Sequence, residues 1–139
     1  MRRAFSAIEL TIVIGIFGVL SAIAMPPMTR LVDHVRVRAA VTQIESLFGA
    51  ARHAAIARGT TTSVEIDTAL RTISVTLGGD TLRKGQLGAE HGVELGTNRI
   101  SMSYSPTGLG YGAANLSVVV RRSAAADTVV VSRLGRVRH

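Results

Sequence analysis

A long apolar stretch near the N-terminus is the first feature of the chain. Residues 10–28 carry no charged side chain, and the apolar stretch begins at Phe5 and is interrupted only by Glu9. A helix of this length spans a lipid bilayer. Because Arg2 and Arg3 precede it without an acidic neighbour, the positive-inside rule predicts a cytoplasmic N-terminus and places the rest of the chain across the membrane.

A cleaved secretory signal peptide is the alternative interpretation of this stretch. Such a peptide has a shorter apolar core that ends in a small-x-small site, and Ser21, Ala22 and Ala24 give only a weak version of it. Glu9 argues against removal, since a carboxylate inside an apolar helix is costly in hydrocarbon and would serve nothing in a discarded peptide. We therefore expect the helix to be retained and Glu9 to have a partner.

Two prolines and a helical pattern follow the apolar stretch. Pro26 and Pro27 predict a kink or a local break, since each ring removes a backbone donor and clashes with the preceding turn. The helix is expected to resume over residues 29–58, because apolar residues recur there at three- and four-residue intervals between charged ones. These apolar positions are Val37, Ala40, Ile44, Leu47, Phe48, Ala51 and Ala55. Gly59 predicts the end of the helix.

After Gly59 the pattern changes to an alternation of polar and apolar residues. Residues 62–67 and 72–77 predict two strands of an antiparallel hairpin, and Gly78-Gly79-Asp80 ends the second strand. Further strands are predicted at residues 99–104, 115–121 and 127–133, with turn-rich sequence between them. The predicted fold class is α+β, with a long N-terminal helix packed on a small antiparallel sheet or sandwich.

Composition limits the architecture and the partners. With 139 residues the chain can form one anchor and one small domain. Its 16 Lys and Arg outnumber 9 Asp and Glu and give a net charge of +7. This balance favours polyanionic partners such as nucleic acid or anionic lipid, although an Arg-rich proteome would give the same number. The absence of Cys excludes disulfides, thiolate metal sites and thiol nucleophiles.

No residue pattern is typical of catalysis or metal binding. The four histidines are scattered without the spacing of a metal site or a triad, and they are His34, His53, His91 and His139. The glycine-rich residues 108–112 lack the context and the Lys of a phosphate-binding loop and are interpreted as a turn. Glu65 and Asp67 share one face of a strand but have no partner base. We predict no enzymatic activity, no metal and no cofactor.

The C-terminal region concentrates positive charge. Within residues 116–139 the only acid is Asp127, which is opposed by Arg121, Arg122, Arg133, Arg136 and Arg138. In a strand, Arg136 and Arg138 project to the same side, and Arg121 or Arg122 on a neighbouring strand could complete a basic stripe. Because the planar guanidinium group binds phosphate oxygens in pairs, this stripe is a candidate phosphate-binding surface.

Residues 3–16, with the sequence RAFSAIELTIVIGI, resemble a type IV prepilin signal. The resemblance implies a leader of residues 1–4, cleavage between Ala4 and Phe5 by a prepilin peptidase, and N-methylation of Phe5. Glu9 then becomes the fifth residue of the mature chain, and its carboxylate is expected to pair with the N-terminal amine of a neighbouring subunit. Ala4 replaces the Gly that is usual before the cut, so slower processing is expected.

The order of elements resembles the minor pilins and pseudopilins of the GspH and FimT group. This resemblance implies a transmembrane and filament-core helix over residues 5–28, an amphipathic helix over residues 29–59 and a β-rich head over residues 60–139. In the second half it rests on residues 105–108 (SPTG) and residues 128–138.

The last residues carry a second resemblance. Gly135-Arg136-Val137-Arg138 resembles the GRxR motif of FimT-like pilins that bind DNA during natural transformation. The resemblance implies that Arg136 and Arg138 contact phosphate, with Arg133, Arg121 and Arg122 as further candidates. The broader GspH group also ends in a Gly-Arg pair, where it closes the last strand.

Three functions remain open at this point. The first is a minor pilin of a DNA-uptake pilus that binds double-stranded DNA without sequence preference. The second is a GspH-like minor pseudopilin of a type II secretion system, and the third is a structural subunit of an adhesion or motility pilus. All three imply a single-pass protein of the bacterial inner membrane with a periplasmic head, and partners that include other pilin subunits and a prepilin peptidase.

Overall fold

The computed structural model describes residues 6–111 and 115–139, without the side chains of residues 24–27. The first element, α1, runs without interruption from Ala7 to Arg58. A kink or a local break was expected at Pro26 and Pro27. The local break is absent, because the helix continues through both positions. The chain divides into two compact units, of which the first ends at Val32 and the second runs from Asp33 to His139.

The N-terminal unit contains the first part of α1. Every side chain described between residues 6 and 23 is exposed. In length and composition, α1 contains a segment that could cross a membrane. Because an all-round apolar helix is stable where apolar surroundings cover it, the exposure fits a segment that lies in lipid or among other subunits.

The C-terminal unit, Asp33–His139, begins with the amphipathic part of α1. The prediction for this helix is confirmed, because all seven apolar positions named from the sequence are buried, together with Val41. Their spacing places them on one stripe of the helix. Gly59, at a φ of 61°, follows the last helical residue as expected.

Among the described residues, nine strands and a short second helix follow in this unit. In chain order they are β1 (Thr62–Asp67), β2 (Thr72–Leu77), β3 (Asp80–Gly85), α2 (Leu87–His91), β4 (Glu94–Thr97), β5 (Ser101–Tyr104), β6 (Gly110–Tyr111), β7 (Leu116–Arg122), β8 (Ala125–Val131) and β9 (Val137–Arg138). A five-stranded sheet has the order β3-β2-β1-β5-β6, and a four-stranded sheet has the order β4-β7-β8-β9. All pairs are antiparallel.

One core joins α1 to both sheets. It includes Phe48 and Ile44 of the helix, Tyr104 of the first sheet, and Val118 and Val129 of the second. All of its members lie between Val37 and Val137. The unit therefore holds its own hydrophobic core without the first part of α1, and we expect it to fold by itself.

The sequence did not predict β3, β4, β6 and β9, and it misplaced the end of β8. The hairpin of β1 and β2 is confirmed with the predicted bounds. β3 was not predicted, because only its last residue, Gly85, is buried and a mostly exposed strand lacks apolar alternation. β8 ends at Val131, so Arg133 lies in a turn instead of in a strand as predicted.

Candidate nucleic-acid interface

The residues predicted for processing and assembly lie at the start of the chain. Ala4 and Phe5 are outside the described residues. Glu9 lies in the first turn of α1, and it is exposed. A carboxylate at this position interacts favourably with the positive end of the helix dipole.

The five C-terminal arginines form two separate groups. Arg138 pairs with Val130 of β8, whereas Arg121 and Arg122 pair with Ala126 and Ala125 at the other end of that strand. Four residues of β-strand span about 13 Å. Moreover, β8 lies between β7 and β9. The prediction that Arg121 or Arg122 completes one stripe with Arg136 and Arg138 is therefore wrong.

Arg122 is bound within the fold. Its Nε donates to Asp33 Oδ1 of α1 at 2.8 Å, and its Nη1 donates to the carbonyls of His91 and Gly92 at 2.8 and 3.0 Å. The hydrogen bond from Arg122 holds the pKa of the Asp33 carboxyl below its ordinary value of 3.8, with a second hydrogen bond from Ser123 acting in the same direction. Arg122 thus ties β7 to α1 and to the end of α2, and its charge is already balanced.

Arg121 faces an acid on the next strand. It pairs directly with Glu94 of β4, so both side chains stand on the same face of the sheet. Opposite charges at such a position attract each other. A phosphate would have to compete with Glu94, which leaves Arg121 poorly suited to the predicted role.

Arg133 and Arg136 lie on a tightly bonded turn between β8 and β9. The Gly135 amide donates to the Ser132 carbonyl at 2.9 Å, and the Arg136 amide donates to Ser132 Oγ at 3.2 Å. The Ser132 amide donates to the Arg136 carbonyl at 2.9 Å, which extends the β8–β9 ladder by one pair. Alternation along this ladder places Arg136 and Arg138 on the same side.

A second turn repeats this arrangement at residues 105–109. The Gly108 amide donates to the Ser105 carbonyl at 2.8 Å, and the Leu109 amide donates to Ser105 Oγ at 3.2 Å. The Ser105 amide donates to the Leu109 carbonyl at 2.9 Å. We call residues 105–109 and 132–136 the twin turns, since both have the pattern Ser-x-x-Gly-x and the same three hydrogen bonds.

The twin turns touch each other. The Gly110 amide donates to the Arg133 carbonyl at 2.9 Å. A Cβ added to Gly135 would lie only 2.8 Å from the Gly108 carbonyl oxygen, so the two backbones approach too closely for a side chain there. Gly108 and Gly135 also have φ values of 77° and 71°, in the region that favours glycine. The turn that carries Arg133 and Arg136 is therefore braced, which here means that it packs closely against the other turn.

Arg133, Arg136 and Arg138 are exposed, and none of them forms an ion pair with any residue in the described ranges. The chain end next to them is attached to α1, because His139 Nδ1 lies 2.9 Å from Glu45 Oε1. The site is thus a fixed turn and strand edge with three exposed guanidinium groups. Such a surface can bind phosphate oxygens.

The other candidates stay apart from this surface. His91 Nε2 contacts Gln43 Oε1 at 2.8 Å, while His34 and His53 are exposed. Asp67 Oδ1 accepts a hydrogen bond from the Leu70 amide at 2.8 Å and thereby closes the β1–β2 turn. Among the described residues no group of three or more His, Asp or Glu side chains could hold a metal ion.

The sequence did not predict the twin turns or the position of Arg52, whose Nε lies close to Gly108 and Gly135. The Ser-x-x-Gly spacing occurs at residues 105–108 and 132–135 and is visible in the sequence. Its repetition could have indicated two equivalent turns. That they lie against each other depends on the pairing of two different sheets, which no local pattern reports.

A long N-terminal helix packed at its C-terminal part on two antiparallel sheets defines a pilin-like protein. The family model described as type II transport protein GspH matches residues 40–135, and the chain belongs to this family. Its apolar N-terminal helix fits a single-pass inner-membrane protein with a periplasmic head. No curated protein sequence matches the chain.

Two kinds of solved structure share the fold. The type IV minor pilin FimU of Pseudomonas aeruginosa is 13% identical, with a TM-score of 0.62 over 73% of this chain and 86% of that one. The minor pseudopilin EpsH from the type 2 secretion system of Vibrio cholerae is 12% identical, with a TM-score of 0.58 over 74% and 94% of the two chains. The prediction of a pilin-like protein of the GspH and FimT group is confirmed.

Proposed function

We propose that this chain is a minor pilin of a DNA-uptake filament and that it binds double-stranded DNA through Arg133, Arg136 and Arg138. The observation that carries the proposal is the presence of these three exposed guanidinium groups on one braced turn and strand edge, without an acidic partner in the described chain. Arg121 and Arg122 are left out, because Glu94 and Asp33 oppose their charges.

The expected mode of binding is electrostatic. Contacts to phosphate alone carry no sequence information and weaken steeply as salt displaces them. Three arginines on one head give weak binding, so several subunits on one filament would be needed to hold a DNA molecule. The inner-membrane helix would present the head on the periplasmic side, where incoming DNA passes.

A titration of residues 29–139 with a DNA duplex at several salt concentrations tests this proposal. From here on, these residues, which include the second part of α1, are called the head. The logarithm of the binding constant should fall with the logarithm of salt with a slope of about −3, one unit for each arginine. An Arg136→Gln, Arg138→Gln double variant should lose most of the binding and about two units of slope. An Arg38→Gln, Arg83→Gln variant, which removes the same charge from two exposed sites elsewhere, is the control.

Two results would count against the proposal. The wild-type head could fail to bind at low salt, which would remove the nucleic-acid role. Equal losses in the double variant and its control would show that only net charge matters and that the turn is not a site.

A minor pseudopilin of a type II secretion system is the second candidate. It is favoured by the description of the matching family and by the fold shared with the EpsH pseudopilin. In this case the head contacts other subunits or a secreted protein, and the Gly135-Arg136 pair closes the last strand. Deletion of the gene would then abolish secretion and leave transformation unchanged, whereas a DNA-uptake pilin would show the reverse.

Assembly into a filament is common to both candidates. We expect cleavage between Ala4 and Phe5, methylation of Phe5, and pairing of Glu9 with the N-terminal amine of a neighbouring subunit. Glu9→Ala should then leave membrane insertion intact and prevent incorporation into filaments, since the helix keeps its apolar surface but loses the charge pair. Fractionation of cells into membrane and sheared filament measures both properties, and normal incorporation of the variant would contradict the pairing.

A further inference from the structure

Arg52 of α1 reaches the contact between the twin turns. A Cβ added to Gly108 would lie 3.1 Å from Arg52 Nε, and one added to Gly135 would lie 3.3 Å from the same atom. The latter position is also 3.1 Å from Cε1 of the Tyr104 ring. One guanidinium group is therefore held against the two glycines and near a buried tyrosine.

Two hydrogen-bond donors at this place have no acceptor in the part of the chain that the structure describes. Arg52 Nε and the Tyr104 hydroxyl are buried and without a hydrogen-bond partner among the described residues. Tyr104 is fully buried, and burial raises the pKa of its hydroxyl to about 12, so the group keeps its proton. Buried donors of this kind are costly when they are left unpaired.

The positive charge of Arg52 is also uncompensated. No carboxylate of the described chain lies within ion-pair distance of it. A partly buried guanidinium group without a counter-charge is destabilising, and an anion beside it removes part of that cost. An anion that reaches the exposed part of the Arg52 side chain would therefore offset this charge.

We infer that Arg52 is a further contact in the DNA interface, a preorganised arginine that binds a phosphate group beside the twin turns. The inference rests on the proposed function and adds a residue that lies more than 80 positions away in the sequence. Its chemistry is that of an arginine-phosphate pair, in which the planar group donates two parallel hydrogen bonds.

Arg52 differs in one respect from the exposed arginines. Its side chain is already confined between two turns, whereas a free surface arginine loses rotamer freedom when it binds. A confined donor gives more affinity for each hydrogen bond, because it loses less side-chain entropy when it binds. We therefore expect Arg52 to contribute at least as much to DNA binding as Arg138, despite its smaller exposure.

Three variants of the head separate this role from a structural one. Arg52→Met removes the charge and keeps much of the packing, Arg52→Lys keeps the charge without the planar group, and Arg38→Met removes an exposed charge about 21 Å earlier on the same helix. We expect Arg52→Met to weaken duplex binding by roughly tenfold and to reduce the salt slope by about one unit. Arg52→Lys should restore the slope more than the affinity, and Arg38→Met should change neither.

A measurement on the wild-type head covers the possibility that Arg52→Met does not fold. Because Arg52 Nε is buried, we expect its N–H to exchange slowly and to give a resolved NMR resonance. Addition of a DNA duplex, and separately of inorganic phosphate, should shift this resonance, whereas sodium chloride at equal ionic strength should not. A shift with phosphate alone indicates a general oxyanion site, and a shift only with the duplex indicates a contact made by the polymer.

The outcomes distinguish this inference from the proposed function. If the duplex binds the wild type, an unshifted Arg52 resonance or an unchanged slope in folded Arg52→Met overturns the inference and leaves the DNA-uptake pilin standing. If the duplex does not bind, the proposed function fails. In that case Arg52 is not a DNA contact. A response of Arg52 to inorganic phosphate would still support an anion site at Arg52, and no response would overturn that site too.

Discussion

The two groups of C-terminal arginines lie in or next to the same four-stranded sheet, yet Arg122 has an environment opposite to that of Arg136 and Arg138. Arg122 donates to a carboxylate and to two backbone carbonyls. Arg136 and Arg138 are exposed and have no ionic partner in the described chain. A count of charges along a segment therefore does not locate a binding surface, because part of the charge stabilises the fold.

The parity of strand positions explains the difference. Leu116, Val118 and Val120 are buried, and Arg122 continues this alternation at the end of β7, on the side where α1 packs. Arg138 instead pairs with Val130, which stands between the buried Val129 and Val131 and so points to the other face. The first arginine meets the helix, and the second meets solvent.

The largest effect is expected when the braced turn itself is disturbed. Gly135→Ala adds a side chain at a φ of 71° and brings it to 2.8 Å from a backbone oxygen. We expect a loss of about 2–4 kcal/mol in the free energy of unfolding, part from the left-handed backbone and part from overpacking. The variant keeps every arginine, so weaker DNA binding by its folded fraction would show that the presentation of Arg136 matters.

Gly78→Ala is the matched control for this variant. Gly78 has a φ of 59°, but nothing lies within 4 Å of an added Cβ. It should therefore lose only the backbone contribution, about 1–2 kcal/mol. Equal losses in the two variants, measured by chemical denaturation, would show that the twin turns are not tightly packed.

The helix and the main hairpin could be predicted from the sequence because their signals are local. The stripe from Val37 to Ala55 and the alternation in β1 and β2 each report one buried face, and both predictions are confirmed. β4, β6 and β9 have two to four residues each, which is too short for a period to be visible. β4 pairs with β7, which lies far away in the sequence, while β6 and β9 pair with the strands just before them across short turns.

The candidate site was predicted in part. The basic character of residues 133–138 is evident in the sequence, but the removal of Arg122 from the site requires knowledge of Asp33, which lies 89 positions earlier. The parity of β7 could have given a warning, since Arg122 follows three buried residues at steps of two. Arg52 carries no such signal, because its role depends on two glycines in turns that belong to different sheets.

The next largest effect is expected at Arg122. Arg122→Met leaves the carbonyls of His91 and Gly92 and the carboxylate of Asp33 without their donor, and we expect a clear loss in the free energy of unfolding, larger than that in Arg121→Met. Arg121→Met should change the stability by no more than about 0.5 kcal/mol, since an exposed cross-strand charge pair contributes little. Denaturant unfolding of both heads measures the contrast, which would be contradicted by equal stabilities.

The same contact predicts a dependence on pH. The Asp33 carboxyl has a pKa below 3.8 in the folded head because Arg122 donates to it. A group with a lowered folded pKa stabilises the fold above its unfolded pKa, and this contribution disappears as the pH falls through the folded pKa. Wild-type stability should therefore fall more steeply than that of Asp33→Asn below pH 4, in unfolding curves recorded from pH 5 to pH 2. Parallel curves would show that the Asp33 carboxylate does not stabilise the fold through its contact with Arg122.

The smallest effect on stability is expected where the effect on DNA binding is large. Arg136→Gln, Arg138→Gln removes two exposed charges and no hydrogen bond within the described chain, so its unfolding free energy should stay within about 0.5 kcal/mol of the wild type. The head has a net positive charge, and the removal of two cations relieves some repulsion. A clear loss of stability would assign these arginines to the closing of the last strand, as in the secretion alternative, and any loss of DNA binding would then follow from a disordered edge. If the stability is unchanged and DNA binding is lost, the charges of Arg136 and Arg138 serve DNA binding and not the stability of the fold.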